Sequence, residues 1–435
     1  MKLKSFGPLA AAGCALLTLG SPAVANMGNS PSTYGLLPGD IASAQALSIF
    51  NSQISAVYYN PANLAKDPRG ELTGGIFHAE HDLEANGRRI VDEPSQQLQL
   101  GLKTDLSSLS TLDHPLYFGL MVGVEKFAQE MMAFSSETSD YGQYFTYGRQ
   151  PLFLTAGVGT SVWRGIDVGF ALRVTLHADA TLNTRSTLGG VTSQESLNVS
   201  AAPKFRPILG VNVNWGETFC SRASCWMDNL ETAISYRAYS NTRTKVRSNV
   251  IVPGTIPAPG LALAIQTLDS FQPEITTLGV KYDFGSFRLG FTGEYQAWSR
   301  LERELRNDTI KDQANANFKD IFIPRIGVEI PAGDHFTFTG GIAWEETPIE
   351  GRRSMDVNYL DADRWVLGLG MSATIPKMPL LAYPVRLDLG YQYQQLDEKT
   401  YELTSSNPLT PPGVYGTVET GGEVHVFAGS VTLKF

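Results

Sequence analysis

The sequence predicts an all-β protein: an antiparallel transmembrane β-barrel of about 14 strands, with an N-terminal hatch, or plug, of short helices. Three observations carry that prediction. Long stretches alternate apolar and polar residues with a period of two, and the apolar face ends in aromatics. The connections sort by length, short at one end and long at the other. The chain finishes on a strand that stops at Phe435, as closure of a barrel by its last strand requires.

The first 25 residues read as a secretory signal peptide. Lys2 and Lys4 form the positive region, Leu9 to Leu19 a short apolar core, and Ala23-Val24-Ala25 a small-residue cleavage site. The core is too short for a spanning helix. Cys14 goes with the leader, because Ala11 does not fit a lipidation signal. Hydrophobic residues make up 43% of the 435, and no later run approaches the roughly 18 that a helical span needs. The formal charge of −9, or −11 without Lys2 and Lys4, offers nothing to nucleic acid. Localisation in a bacterial cell outer membrane follows. Cys220 and Cys225 lie in the polar connection 216–229, where an oxidising compartment favours a structural disulfide over free thiols or a metal site lacking other ligands.

Residues 26–70 form the predicted hatch. Asp40 is placed to cap a helix through Leu47. Ser55 to Tyr59 reads as an extended apolar run that stops at a helix start, with Asn60 as cap and Pro61 at the first helical position. Ile49, Phe50, Ile54 and Val57 have no partner within the segment and need a cavity to fill.

Residues 71–435 form the predicted barrel. Ile166, Val168, Phe170, Leu172, Val174 and Leu176 alternate with Asp167, Gly169, Ala171, Arg173, Thr175 and His177. Segments 287–300 and 383–397 repeat the pattern, and 14 such segments run from 71–82 to 422–435. Short turns fall near Gly165, Gly285, Gly333 and 376–382; long connections fall at 126–148, 244–273, 301–317, 347–361 and 398–421. A soluble β-sandwich has no reason to sort its loops this way, whereas an outer-membrane barrel does.

Gly39-Asp40-Ile41-Ala42 followed by Tyr58-Tyr59-Asn60-Pro61-Ala62-Asn63-Leu64-Ala65 resembles the hatch of FadL-type (FadL/TodX) outer-membrane transporters. Their Asn-Pro-Ala is usually followed by Gly-Leu; here the glycine is replaced by Asn63. Gln272 to Tyr282 with Gly293 to Trp298, and Asp363-Arg364-Trp365, resemble further parts of the same family. The resemblance implies passive uptake of long-chain fatty acids or hydrocarbons: capture at extracellular loops, an inner site, gating by a hatch around Asn60, Pro61 and Ala62, and lateral exit at a kinked third strand. That strand is 115–123 here, and Gly119 and Gly123 are placed to permit a kink or to face a crowded lumen.

Ile49, Phe50, Ile54, Val57, Tyr58 and Tyr59 are candidates for a pocket floor, or for packing of plug against wall. Arg173, Lys281, Arg288 and Arg386 face the lumen by parity and fit an acidic ligand, or pair with Asp167, Asp283, Glu294 or Asp388. Two loops carry apolar residues for first capture: Phe127, Met131, Met132 and Phe134, and Val250 to Ile265. No cofactor is expected. The expected partners are a hydrophobic ligand, outer-membrane lipid and lipopolysaccharide, and the barrel assembly machinery, for a monomer. The alternatives are a non-selective porin and a lipid-modifying enzyme; six histidines without a triad pattern argue against the latter.

Overall fold

The computed structural model describes residues 30–89, 94–109, 114–126, 132–134, 152–186, 192–220, 225–252, 256–305, 317–351, 353–354, 358–376, 381–404 and 414–435. The leader lies outside them, as do Phe127 and Met131 of the expected capture loop.

Fourteen wall strands follow in chain order. They are β1 (Glu71–Ala85), β2 (Ser95–Asp105), β3 (Leu116–Lys126), β4 (Leu152–Trp163), β5 (Ile166–Ser186), β6 (Thr192–Asn214) and β7 (Leu230–Arg237). The second half comprises β8 (Glu274–Asp283), β9 (Arg288–Ala297), β10 (Ile321–Ala332), β11 (Phe336–Glu345), β12 (Arg364–Ile375), β13 (Val385–Thr404) and β14 (Val414–Lys434). Each pairs antiparallel with its neighbour, and β14 returns to β1 from Glu71↔Lys434 to Ala85↔Thr420. The sheet therefore has no free edge, which a structure in hydrocarbon requires.

The wall is apolar outside and polar inside. Ile76, Leu98, Phe291, Phe322, Leu369, Leu389 and Phe427 are each more than half exposed on its outer face. Gln97, Thr155, Asn212, Thr277, Glu294, Gln392 and Gln394 are buried on its inner face. In water such an exterior costs about 25 cal/mol per Å²; against lipid it costs nothing. Strands of ten residues, such as β8 and β9, suffice at a usual tilt to cross an apolar band about 25 Å tall. β5, β6, β13 and β14 run to 20 residues or more and overhang the long-loop end.

The region expected as the long loop 244–273 is instead a β-hairpin, Ser240–Val252 and Ile256–Gln272. Its first arm runs parallel to the overhang of β5, pairing Thr244–Ile251 with Ala178–Arg185. Residues such as Val246, Val250, Ile256 and Ile265 favour pleated structure wherever a partner strand is free, and the overhang supplies one. The seventh wall strand accordingly stops at Arg237.

At the short-turn end, α4 (Trp215–Phe219) and the bonded pair Cys220–Cys225 shape the connection from β6 to β7. Exposed Trp163, Phe219, Trp226 and Phe284 give that rim the aromatic girdle of a membrane interface.

Residues 30–70 fold inside the cylinder. They form α1 (Ser30–Thr33), α2 (Pro38–Ala42), a 3₁₀ turn (Ser48–Phe50), α3 (Ala56–Tyr59) and a second 3₁₀ turn (Pro61–Ala65). Two expectations change. Asp40 lies within α2 and accepts the Leu37 N–H at 3.0 Å, so the helix begins at Pro38 and ends at Ala42. Ala44 and Gln45, with φ of 47° and 63°, turn the chain before Leu47 is reached. Residues 56–59 are helical rather than extended, because the lumen supplies the hydrophobic surroundings that a short isolated turn lacks.

Candidate functional site

The hatch contacts the wall almost backbone to backbone, and glycine makes that approach possible. The Asn60-Pro61-Ala62 turn faces β4, β5 and β6. A Cβ added at Gly169 would lie 2.2 Å from the Ala62 nitrogen, and one at Gly159 would lie 2.5 Å from the Pro61 carbonyl oxygen. Gly210 leaves room for the Asn60 side chain itself. Asn60 Oδ1 accepts the Ala62 N–H at 3.2 Å, which caps the second 3₁₀ turn as the sequence suggests. Its Nδ2 donates to the Ile49 carbonyl at 3.2 Å and to the Val211 carbonyl of β6 at 3.3 Å. Asn63 adds a second bond to the Ile49 carbonyl at 2.5 Å. One asparagine thus ties two hatch turns to each other and to the wall.

Small wall positions continue around the barrel. Gly279 faces Ile49 and Phe50, while Gly290 and Gly327 face Leu47. Gly341 faces the Ser43 carbonyl, Gly368 the Ala42 carbonyl and Gly390 the Pro38 carbonyl, each at less than 2.5 Å from a hypothetical Cβ. Gly101 and Gly119 receive Ile54, and Gly75 stands near Leu37. The belt therefore touches twelve of the fourteen strands (all but β7 and β14), and β7 contributes the small Ala233 against Ile49 and Phe50. Polar wall residues hold the hatch in place: Gln392 donates to the Tyr34 and Ile41 carbonyls, Thr292 to Ala46, Arg325 to Ala44 and Lys103 to Ser52.

Gly119 and Gly123 do not interrupt β3. Its ladder runs without a register shift from Gln96↔Lys126 to Asp105↔Tyr117 on one side, and from Leu116↔Thr160 to Val124↔Leu152 on the other. Both glycines face inward, Gly119 against Leu64 and Ile54.

Ile49, Phe50, Ile54, Val57, Tyr58 and Tyr59 are all buried. In this arrangement the first four pack plug against wall; Ile54 and Val57 share one core cluster with Met121, Ala171 and Ile208 of the wall. Tyr58 and Tyr59 reach further, toward the long-loop end. Their rings lie 4.9 and 5.5 Å from the Arg237 guanidinium.

That guanidinium belongs to a buried charge layer which the sequence reading missed. Arg237 pairs with Glu294 at 2.6 Å, Arg325 lies 3.6 Å from Glu294, and Arg364 pairs with Glu345 at 3.0 Å. Strand parity places every one of these residues inward, so the signal was present for Arg237 and Arg325 as much as for the four cations chosen. Arg173 is buried in the same region, near Tyr58. Lys281, Arg288 and Arg386 lie on the opposite side of the hatch. They line a polar cavity of about 230 Å³ with Lys66, Glu231 and Glu329 at the short-turn end. Arg288 pairs with Asp283 at 3.0 Å and Arg386 with Asp388 at 2.7 Å, both expected pairings; Lys281 instead pairs with Glu231 at 2.6 Å. Burial and the neighbouring Lys281 push the Lys66 ammonium well down, although it contacts Glu231.

Beyond the charge layer, the long-loop mouth is apolar. Phe271, Trp298, Leu301, Leu305, Phe318, Ile321, Ile349 and Tyr401 form one cluster, with α5 (Ser299–Leu305) laid across it. At its edge, burial raises the Asp361 carboxyl to about 6 against the pull of Arg364. Of the expected capture residues, Met132–Phe134 pairs as a short strand with Asn358–Leu360, while Val250, Ile251, Val252, Ile256, Leu261, Leu263 and Ile265 lie on the two arms of the hairpin.

No protein-family model matches the chain. It is 49% identical, over 96% of its own length and 94% of the relative's, to alkane uptake protein A of Marinobacter nauticus. The chain belongs to the family of alkane uptake protein A. Its fold matches a Pseudomonas aeruginosa FadL homologue with a TM-score of 0.58 at 16% identity, over 91% of this chain and 98% of that one. The Pseudomonas putida toluene transporter TodX matches with a TM-score of 0.54 at 13% identity, over 92% and 99%. The chain thus has the fold of an outer-membrane barrel, and the proteins it is similar to are an uptake protein, a FadL homologue and a toluene transporter.

Proposed function

We propose that the chain takes up linear hydrocarbons, alkanes foremost, by a gated route through the barrel. The carrying observation is the stacking order along the lumen: apolar mouth, charge layer, close-fitted hatch, polar cavity. An alkane leaves water for the mouth at a gain of about 0.8 kcal/mol per CH₂. The charge layer and hatch then bar it from falling straight through into the periplasm. The same hatch stops the lumen from acting as an open watery pore, which disfavours the porin reading. Passage requires the Asn60-Pro61-Ala62 turn to leave its glycine seat, and sideways exit into the membrane near β3 further requires that strand's ladders, unbroken with the hatch seated, to part. The 49% relative, an alkane uptake protein, supports the choice of substrate. The protein acts as a monomer among lipopolysaccharide, delivered by the barrel assembly machinery through its terminal strand. That strand closes with reciprocal bonds between Gly70 and Phe435 at 2.7 and 2.9 Å.

The test is uptake of radiolabelled hexadecane and palmitate by cells lacking the gene, with and without the plasmid-borne protein. Hexadecane uptake restored several-fold over palmitate supports the proposal. Equal restoration, or palmitate alone, rejects the alkane assignment.

A further inference from the structure

The lipid-facing band contains a trough that the protein leaves unfilled. Two outward positions at the closing seam are glycine, Gly74 on β1 and Gly429 on β14. The register surrounds them with bulk. Leu100 stands opposite Gly74 and Leu98 opposite Ile76 on β2, while Leu389 stands opposite Gly429 on β13. A Cβ added at Gly74 would meet nothing closer than Leu100 Cδ2 at 3.8 Å, and one at Gly429 nothing closer than Leu389 Cδ2 at 3.6 Å. Outward glycines elsewhere stand singly. Gly293 on β9 is covered by the Phe322 ring, which a Cβ would meet at 2.6 Å, and Gly340 on β11 is open to 3.6 Å, whereas at the seam two open glycines lie on neighbouring strands.

The result is a continuous furrow on the outer wall, in two adjoining cavities of about 470 and 700 Å³ that share Ile76, Leu98, Leu389 and Gly429. Its side-chain lining is apolar until the end nearer the long loops. There His78 and Gln96 are hydrogen-bonded at 3.0 Å through Nδ1 and Nε2. We propose that this furrow is a binding site for one acyl chain of an outer-leaflet lipid, with its polar end at His78 and Gln96. The occupant follows from position: the furrow lies inside the band that lipid already covers, and its polar groups sit toward the outer leaflet. Hydrophobicity cannot drive such binding, because lipid tails are as apolar as leucine. The selection comes from packing, since a chain in the trough touches wall atoms on three sides and restores dispersion contacts that a void forfeits.

The test uses the full-length protein in nanodiscs containing a trace of phospholipid with a diazirine in its acyl chain. Crosslinked peptides are mapped by mass spectrometry. Labelling at least threefold higher on residues 74–98 and 427–431 than on the opposite face around Leu278 and Phe291 is expected. Gly74→Leu with Gly429→Leu should erase that excess, while Gly340→Leu, at another outward glycine, should not. Even labelling of both faces in the wild-type protein overturns the proposal, and so does an excess that survives filling. A fourth arm adds hexadecane: loss of the excess assigns the furrow to free hydrocarbon and overturns the lipid assignment, whereas retention supports it.

Discussion

At the scale of single residues, Asn60 does more than its neighbours. Its role as a cap was legible, because an asparagine before a proline offers an acceptor where the first helical N–H groups lack one. Its second role was not: the Nδ2 bonds to Ile49 and Val211 join segments far apart in sequence, which no local pattern records. Asn60→Ala should therefore cost more than the roughly 1 kcal/mol of a lost cap. In planar bilayers we expect more frequent openings than in the wild-type protein, with the heat-modifiable mobility of an intact barrel unchanged. Equal opening frequencies would show that the turn is held by other contacts. Asp361 makes a second residue-scale prediction. Its folded pKa of about 6 lies above the usual carboxyl value, so protonation stabilises the folded mouth. That stabilisation is complete below about pH 4 and is lost as pH rises through about 6. Carbon-13 NMR of labelled aspartate should show one carboxyl titrating near 6, absent in Asp361→Asn; a set titrating wholly near 4 would contradict this.

At the scale of elements, period-two alternation was enough to place the wall strands, because burial of one face sets every side chain's direction. It could not reveal the hairpin at Ser240–Gln272, since alternation says that a segment is pleated and not which partner it finds. Hatch helices of four or five residues are equally hard to read; they exist through packing rather than propensity. Ala44 and Gln45 hold left-handed conformations that cost about 1–2 kcal/mol each, and the surrounding wall enforces them. The glycine belt was visible as glycines on strands, yet its purpose needed the hatch in view. Gly169→Val should displace the Asn60-Pro61-Ala62 turn, since no rotamer removes a Cβ that lies 2.2 Å from backbone. The expected readout is a marked rise in passive entry of a small dye into cells, several-fold over Gly340→Val, whose Cβ meets nothing nearer than 3.6 Å. Equal entry in the two variants would mean that the belt is not a seat.

At the scale of the whole molecule, closure, loop sorting and lumen polarity were all legible, because a membrane permits few solutions. Substrate route was less so. The lumen cations chosen by parity divided between two compartments separated by the hatch, and only three-dimensional placement shows which side each serves. The central claim is that the hatch closes the barrel and must move for transport. Ile54 Cβ lies 3.2 Å from the position of a Cβ at Gly101, near the range a disulfide bridges. Ile54→Cys with Gly101→Cys therefore allows the hatch to be locked to β2 in the assembled protein. Hexadecane uptake should fall to background when that pair is oxidised and return on reduction, with each single variant unaffected by either treatment. Full uptake through the locked protein would contradict the account.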